Sequence, residues 1–172
     1  MNAEELRAIQ APLKARYKAE PDSAKIVSRA SGMLLKDRPA CRVETRFGQF
    51  DAGLHPAAGG DGKDKCSIDL LLEAVVSCAG VTLNAVAMAM AIPFTSVKVI
   101  AEADGDIRGT LGVSKDVPVG VTSIRIAFEI DSPASDEQLA MLLKQTERYC
   151  VVYQTLRNPP TIGTAVQRLA GK

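Results

Sequence analysis

Residues 67–90 read Ser-Ile-Asp-Leu-Leu-Leu-Glu-Ala-Val-Val-Ser-Cys-Ala-Gly-Val-Thr-Leu-Asn-Ala-Val-Ala-Met-Ala-Met, and their Ala, Leu and Met content predicts a helix. Ser67 is suited to cap the first turn, Asp69 complements the helix dipole there, and Pro93 ends the helix. After Glu73 the stretch carries no charge, so the helix must be buried on every side. A small sheet covers only one side, and we therefore expect a second subunit to complete the burial.

The same stretch is long enough to cross a lipid bilayer. Against a membrane span, it contains Glu73, Ser77, Thr82 and Asn84, and neither end carries a Lys/Arg cluster or an aromatic belt. The prediction is therefore a core helix, with no membrane as a partner.

Composition restricts the class of protein and its partners. The 172 residues suffice for one domain with a sizeable core, and the formal net charge is +1. With this charge, no Trp and few aromatic residues, nucleic acid is not expected as a partner. The first residues lack the basic-then-apolar order of a signal peptide, which predicts a cytoplasmic protein.

The pattern along the chain predicts an α+β domain with an antiparallel sheet and two principal helices. We expect a single domain over residues 1–172, with an N-terminal helical extension at 1–22 and a core at 25–170. The extension should pack on the domain, although Pro12 should kink or split its helix. The predicted strands are a three-stranded meander over 25–54, two strands over 94–106 and 122–131, and a last strand over 161–169. After the strand at 122–131, a helix should run from Ser135 toward Cys150, with a Ser135–Gln138 capping box at its start. A helical turn through Arg157 should follow it.

Residues 55–65 form a glycine-containing loop, which is either a mobile connection or a flap over a pocket. The loop carries His55, the only histidine, which is either solvated or an acid–base group. One histidine and the lack of a CxxC pair argue against a zinc site, so no metal is expected.

Four cysteines are present: Cys41, Cys66, Cys78 and Cys150. In a cytoplasmic protein such residues are free, metal-binding or redox-active more often than they are structural disulfides. Taken singly, each also fits a small buried packing residue. Cys41 fits a strand residue, whereas Cys66 precedes the central helix, whose dipole is suited to lower a thiol pKa.

Two segments resemble one known family. Leu-Leu-Leu-Glu-Ala-Val-Val-Ser-Cys-Ala-Gly-Val-Thr-Leu around Cys78 resembles the central helix of the osmotically inducible protein C (OsmC) and organic hydroperoxide resistance (Ohr) family. Glu-Arg-Tyr-Cys-Val-Val-Tyr-Gln-Thr-Leu around Cys150 resembles the second cysteine segment of that family. The resemblance covers about residues 25 to 170.

The resemblance implies an intertwined homodimer, in which two central helices pack back to back behind sheets. It also implies thiol-dependent reduction of organic hydroperoxides, with Cys78 as the peroxidatic and Cys150 as the resolving cysteine. An external dithiol would reduce the resulting disulfide, and no bound cofactor would be required. The alternative is a redox-silent homodimer of the same fold that binds a small apolar ligand.

In the family, an arginine from the early strands and a carboxylate near the start of the central helix assist the cysteine. The carboxylate candidates here are Asp69 and Glu73, because the proline–acid pair typical of the family is absent. Arg38 is the preferred arginine, since its turn is suited to reach across a dimer, while Arg42 and Arg46 remain alternatives. A further departure is Val151, which follows Cys150 where family members often have proline.

Overall fold

The computed structural model describes residues 2–169; residue 170, the last of the predicted core, lies outside this range. The fold is α+β, as predicted, with a mixed four-stranded sheet and a separate antiparallel two-stranded sheet. The helices are α1 (Ala3–Ala19), α2 (Ser67–Met90), α3 (Ile107–Thr110), α4 (Asp136–Tyr149) and α5 (Val151–Arg157), and the strands are β1 (Ser31–Leu34), β2 (Ala40–Thr45), β3 (Gly48–Gly53), β4 (Lys65–Cys66), β5 (Ser96–Gly105) and β6 (Val121–Asp131).

Helix α1 begins with a capping box, in which Asn2 and Glu5 bind each other's backbone N–H groups. The helix continues through Pro12, so the predicted split is not observed. Proline removes one helical hydrogen bond, and the remaining turns sustain the helix. No residue of α1 is fully buried. Its apolar stripe consists of Leu6, Ile9, Leu13 and Tyr17, of which Leu6 is half-buried and the others are exposed. Within this chain, α1 is therefore only loosely packed.

The N-terminal sheet contains the predicted antiparallel meander, β1–β2–β3, and β4 joins β3 in parallel. The first strand begins at Ser31, whereas the meander was predicted to begin at residue 25. The register explains this difference. Ser31 pairs with Glu44, and β2 ends at Thr45, so residues before 31 have no partner strand within the chain.

Helix α2 has the predicted bounds, but Ser67 is its first helical residue and Cys66 occupies the N-cap position. The prediction that Ser67 caps the helix is therefore wrong. At the other end, Ala91 adopts a left-handed conformation with φ of 54°, which ends the helix two residues before Pro93. The residues of α2 that one chain buries fully form a single stripe, Val75, Ala79, Leu83 and Ala87.

Among the described residues, α2 is the helix whose length and apolar composition would allow it to span a membrane. Core helices of soluble proteins meet the same criterion. Here the buried stripe of α2 packs on β5 and α4, which is the arrangement of a core helix.

The core lies between α2, α4 and the β5–β6 sheet. Leu83, Ala87, Ile92 and Leu142 form its centre, and Val97, Phe128 and Ile130 from the sheet pack against them. The predicted capping box of α4 is confirmed, with Ser135 and Gln138 as its members. The predicted helical turn through Arg157 is confirmed as α5.

Residues 161–169 contradict the sequence prediction, because they form no strand and are fully exposed. A strand was predicted for this segment, but a strand needs a hydrogen-bonding neighbour. No neighbour pairs with this segment in the described part of the chain. Its apolar side chains, Ile162, Val166 and Leu169, remain in water.

Leu142→Ala should destabilise the protein by about 2–5 kcal/mol, because it leaves a cavity at a completely buried position of the core. Urea unfolding followed by circular dichroism measures this change. Leu111→Ala is the matched control; its side chain is 56% exposed, and it should alter the free energy of unfolding by less than about 0.5 kcal/mol. Equal effects of the two substitutions would contradict the placement of the core.

Candidate functional site

The two cysteines singled out in the sequence, Cys78 and Cys150, are brought together. Cys78 lies in the middle of α2, and Cys150 is the residue at which α4 ends and α5 begins. Both thiols are free, and they lie close enough for each to shift the pKa of the other. Cys150 is fully buried, whereas Cys78 is half-buried.

The backbone changes direction at Cys150, which has extended angles of φ −72° and ψ 110°. This residue is both the C-cap of α4 and the N-cap of α5. The first N–H groups of a helix have no partner within the helix and are free to bind another acceptor. At α5 these N–H groups belong to Val151 and Val152, and both interact with the sulfur of Cys78.

The pKa of Cys78 is lowered below that of an ordinary thiol. Burial acts to raise this pKa, but the N–H of Val152, the thiol of Cys150, the N–H of Val151 and the hydroxyl of Thr82 together outweigh burial. Each of these groups donates toward the sulfur and therefore favours the thiolate.

The pKa of Cys150 moves in the opposite direction. Burial raises it, and the neighbouring Cys78 sulfur raises it further, while the backbone N–H groups of Tyr153 and Val152 oppose the change. The pair therefore consists of one sulfur prepared to ionise and one that retains its proton. An asymmetric pair of this kind can assign the role of nucleophile to Cys78.

An apolar cavity of about 200 Å³ adjoins Cys150. It lies between α2, α4, α5 and β6, and only Glu147 among its lining residues carries a charge. A cavity of this size matches a small organic group rather than a polymer. The apolar part of its lining includes Ala79, Ile124, Ile126, Phe128 and Leu143.

The arginine and the carboxylates predicted to assist Cys78 lie elsewhere in this single chain. Arg38 binds both carboxylate oxygens of Asp64, at 2.9 and 3.0 Å, and one oxygen of Asp51 at 3.0 Å. Asp69 is exposed in the first turn of α2, and Glu73 pairs with Lys65 at 3.3 Å. None of these predicted residues is among the groups that act on the Cys78 thiol in the described chain.

Arg38 is nevertheless held firmly. Hydrogen bonds that Arg38 donates to Asp64 and Asp51 raise its pKa, and Asp51 also pairs with Arg42 at 2.8 Å. Asp64 lies close against Gly53, where a Cβ atom would approach it to 2.8 Å. These contacts tie the end of the 55–65 loop to the N-terminal sheet, so that part of the loop is anchored rather than free.

The other candidates have structural surroundings. The Nδ1 of His55 accepts the N–H of Ala57 at 3.0 Å and thereby caps a 3₁₀ turn at Pro56–Ala58. Cys66 is the buried N-cap residue of α2, and Cys41 is half-buried in β2 beside Gly32. In the described chain, no group of three or more His, Cys, Asp or Glu residues is arranged to hold a metal ion.

Three groups at the site were missed in the sequence. Thr82 lies four residues after Cys78, and this helical spacing was sufficient to place it on the same face. The break near Cys150 was predicted, but the N–H groups of Val151 and Val152 were missed because their approach to Cys78 depends on the packing of α5 against α2. The resembled family often has proline after its second cysteine, where this chain has Val151. A proline there would have no backbone N–H to donate toward Cys78.

Known proteins share the fold of this chain. A family model described as OsmC-like protein matches residues 60–165. The structure is similar to an OsmC-like protein from Mycoplasma pneumoniae, with a TM-score of 0.65, 18% identity, and coverage of 78% of this chain and 90% of that chain. No curated protein sequence matches significantly.

Two further solved structures are similar in fold. One is described as an organic hydroperoxide resistance protein OsmC from Legionella pneumophila, with a TM-score of 0.58, 16% identity, and coverage of 78% and 93% of the two chains. The other is an organic hydroperoxide resistance protein from Elizabethkingia anophelis, with a TM-score of 0.62, 14% identity, and coverage of 78% and 92%.

The thiolate of Cys78 should form at a lower pH than that of Cys150, because donors stabilise the first anion while burial opposes the second. Thiolate absorbance of the native protein between about pH 5 and pH 10, compared among the wild type, Cys78→Ser and Cys150→Ser, measures both midpoints without requiring a reagent to reach the buried Cys150. Thr82→Val removes a donor and should raise the midpoint of Cys78, whereas Thr110→Val, at an exposed position, should leave it unchanged. A midpoint for Cys78 at or above that of Cys150 would contradict this geometry.

Proposed function

Because this chain belongs to the OsmC-like protein family, we propose that it is a thiol-dependent peroxidase that reduces organic hydroperoxides in the cytoplasm. The observation that carries the proposal is the contact between Cys78 and Cys150, in which the two thiol pKa values move in opposite directions. The similarity in fold to proteins described as organic hydroperoxide resistance proteins adds support. No step requires a metal or a bound cofactor.

In the first step, the Cys78 thiolate attacks the terminal oxygen of the hydroperoxide. A sulfur–oxygen bond forms, the O–O bond breaks, and the departing alkoxide takes a proton and leaves as an alcohol. The N–H groups of Val151 and Val152 and the hydroxyl of Thr82 stabilise the thiolate before the attack. The apolar cavity beside Cys150 favours an organic hydroperoxide over hydrogen peroxide, because hydrogen peroxide carries a second hydroxyl group in place of the organic substituent.

In the second step, the thiol of Cys150 attacks the Cys78 sulfenic acid, a disulfide forms, and water leaves. An external dithiol then reduces this disulfide through exchange, so that both thiols are restored and the dithiol is oxidised. The buried position of Cys150 means that its first partner is Cys78 rather than a reagent from solution.

The wild-type protein should reduce cumene hydroperoxide faster than hydrogen peroxide when a dithiol is supplied, and Cys78→Ser should abolish turnover. Cys150→Ser should permit one oxidation and impair recycling. A coupled assay measures turnover, and mass spectrometry detects the Cys78–Cys150 disulfide. Cys41→Ser is the matched control, and it should retain activity because Cys41 lies in β2 and is not among the groups that act on either thiol.

Absence of turnover in the wild type, with all four thiols still free after exposure to peroxide, would overturn the peroxidase proposal. A redox-silent homodimer that binds a small apolar ligand would then be the remaining function. The apolar cavity beside Cys150 favours this second candidate.

We further propose that the protein acts as a homodimer. Strands β1–β3 make their main contacts with one another rather than with the core of the same chain. Residues 25–30 and 161–169 form no regular secondary structure and are exposed in the described chain, so both segments are available to pair with a second copy. Large apolar side chains that are more than two-thirds exposed include Ile26, Val27, Met33, Leu34, Phe47, Val81, Ile162, Val166 and Leu169.

In this dimer, Arg38 would assist Cys78 of the other subunit. Its guanidinium is held by Asp51 and Asp64 on the N-terminal sheet, so it is already oriented. A guanidinium near the sulfur would stabilise the thiolate and orient the peroxide. Asp69 and Glu73, at the start of α2, are the carboxylates proposed to assist.

Sedimentation should show a dimer, and a mixture of Cys78→Ser with Arg38→Ala should regain activity that each variant lacks alone. Random exchange of subunits makes half of the dimers mixed. Each mixed dimer has one intact site of two, so recovery should reach about a quarter of the wild-type rate. Arg46→Ala replaces Arg38→Ala in the control mixture and should be active alone. A monomer, or the lack of recovery after exchange has been verified, would contradict action across subunits.

A further inference from the structure

One side chain bridges the break between α4 and α5. Gln154, half-buried in the middle of α5, donates from Nε2 to the backbone carbonyl oxygen of Glu147 at 2.8 Å. Glu147 lies in the last turn of α4, where carbonyl groups have no partner within the helix. The bond therefore ties the end of one helix to the body of the next, with Cys150 between its two ends.

A second contact fixes the orientation of the Gln154 amide. Asn158, the residue at which α5 ends, donates from Nδ2 to the Oε1 of Gln154 at 3.2 Å and to the backbone oxygen of Gln154 at 3.4 Å. A carbonyl oxygen only accepts, so the amide nitrogen of Asn158 has to face Gln154. The oxygen of the Gln154 amide is thus turned toward Asn158, and its nitrogen is turned toward Glu147.

Helix α5 needs such a constraint to keep its direction. It has seven residues, and isolated helices of fewer than about 12 residues are marginal in water. Its first N–H groups, those of Val151 and Val152, act on the Cys78 sulfur, and hydrogen bonds weaken steeply when donor and acceptor are misaligned. A small rotation of α5 relative to α4 would therefore move both donors off the sulfur.

We propose that Gln154 is a positioning residue for the Cys78 nucleophile, because its bond to the Glu147 carbonyl holds α5 in the direction that points the Val151 and Val152 N–H groups at the sulfur. Gln154 itself is not among the groups that act on the sulfur. The inference rests on the proposed peroxidase function in calling Cys78 a nucleophile. The hydrogen bonds that carry it are independent of that function.

Gln154→Met keeps the length of the side chain and removes the donor. The thiolate midpoint of Cys78 should rise by about half a pH unit or more, because one donor to an anion contributes about one pH unit. Thiolate absorbance between about pH 5 and pH 10, with the Cys78→Ser protein as the baseline, measures the shift without peroxide. Thr155→Val, at an exposed position of the same helix, is the matched control and should leave the midpoint unchanged.

The pH profile of kcat/KM for cumene hydroperoxide separates positioning from a general loss of structure. Gln154→Met should lower kcat/KM about threefold at a pH below both midpoints and regain the wild-type value above them, since only the thiolate reacts. Ile130→Ala weakens the core outside the cavity beside Cys150. It should lower the melting temperature and leave the midpoint of Cys78 in place.

Double variants identify the groups through which Gln154 acts. Val151→Pro removes one of the two N–H groups, and the angles of Cys150, φ −72° and ψ 110°, suit a residue that precedes proline. Its shift and that of Gln154→Met should sum to less than their total, because both act on the same donors. Thr82→Val removes a donor carried by α2, and its shift should add fully to that of Gln154→Met.

Asn158→Ala provides the test if Gln154→Met does not fold, and it should raise the midpoint in the same direction by a smaller amount. The proposal is overturned if folded Gln154→Met keeps the wild-type midpoint, if Ile130→Ala reproduces its shift, or if its shift adds fully to that of Val151→Pro. A wild type that shows no peroxide turnover, together with the predicted midpoint shift, would sink the peroxidase proposal and retain the role of Gln154. Normal turnover with an unmoved midpoint would do the reverse.

Discussion

The apolar surface of α2 has to leave water, and the positions of the other elements follow from this constraint. The β5–β6 sheet and α4 cover one stripe of the helix, from Val75 to Ala87. Helix α5 covers part of the next face, near Cys78. The remaining surface is open in a single chain, as the 72% exposure of Val81 shows. A helix of this composition is stable in water only when such surface is covered.

Burial and reactivity conflict at Cys78, because an apolar helix is an unfavourable place for an anion. Within one chain, backbone N–H groups and the side chains of Cys150 and Thr82 offset the effect of burial. The change of direction at Cys150 leaves the N–H groups of Val151 and Val152 without helical partners, and these groups face the sulfur. The same change of direction places the thiol of Cys150 near that of Cys78. One local backbone feature thus supplies both the stabilising donors and the second sulfur.

Local patterns predicted much of the fold. The apolar run fixed the bounds of α2, and the Ser135–Gln138 box marked the start of α4. Residues 25–30 and 161–169 were predicted to lie in strands and do not, because strand formation depends on a neighbouring strand that a local sequence pattern does not reveal. At the site, the resemblance identified Cys78 and Cys150, whereas the donors from α5 depend on a tertiary contact. The surroundings of Arg38 were also unpredictable, since Asp51 and Asp64 approach it through strand pairing and loop closure.

The contact between the two sulfurs has a consequence for how the proposed enzyme would tolerate its own substrate. A sulfenic acid faces two competing fates, condensation with a thiol or a second oxidation to sulfinic acid, and the second inactivates the protein. Because Cys150 lies near Cys78 in the same chain, the first fate is intramolecular and its rate is independent of peroxide concentration. The second fate requires another peroxide molecule and accelerates as peroxide accumulates. The proximity of the two thiols therefore sets the peroxide concentration at which suicide inactivation would overtake turnover.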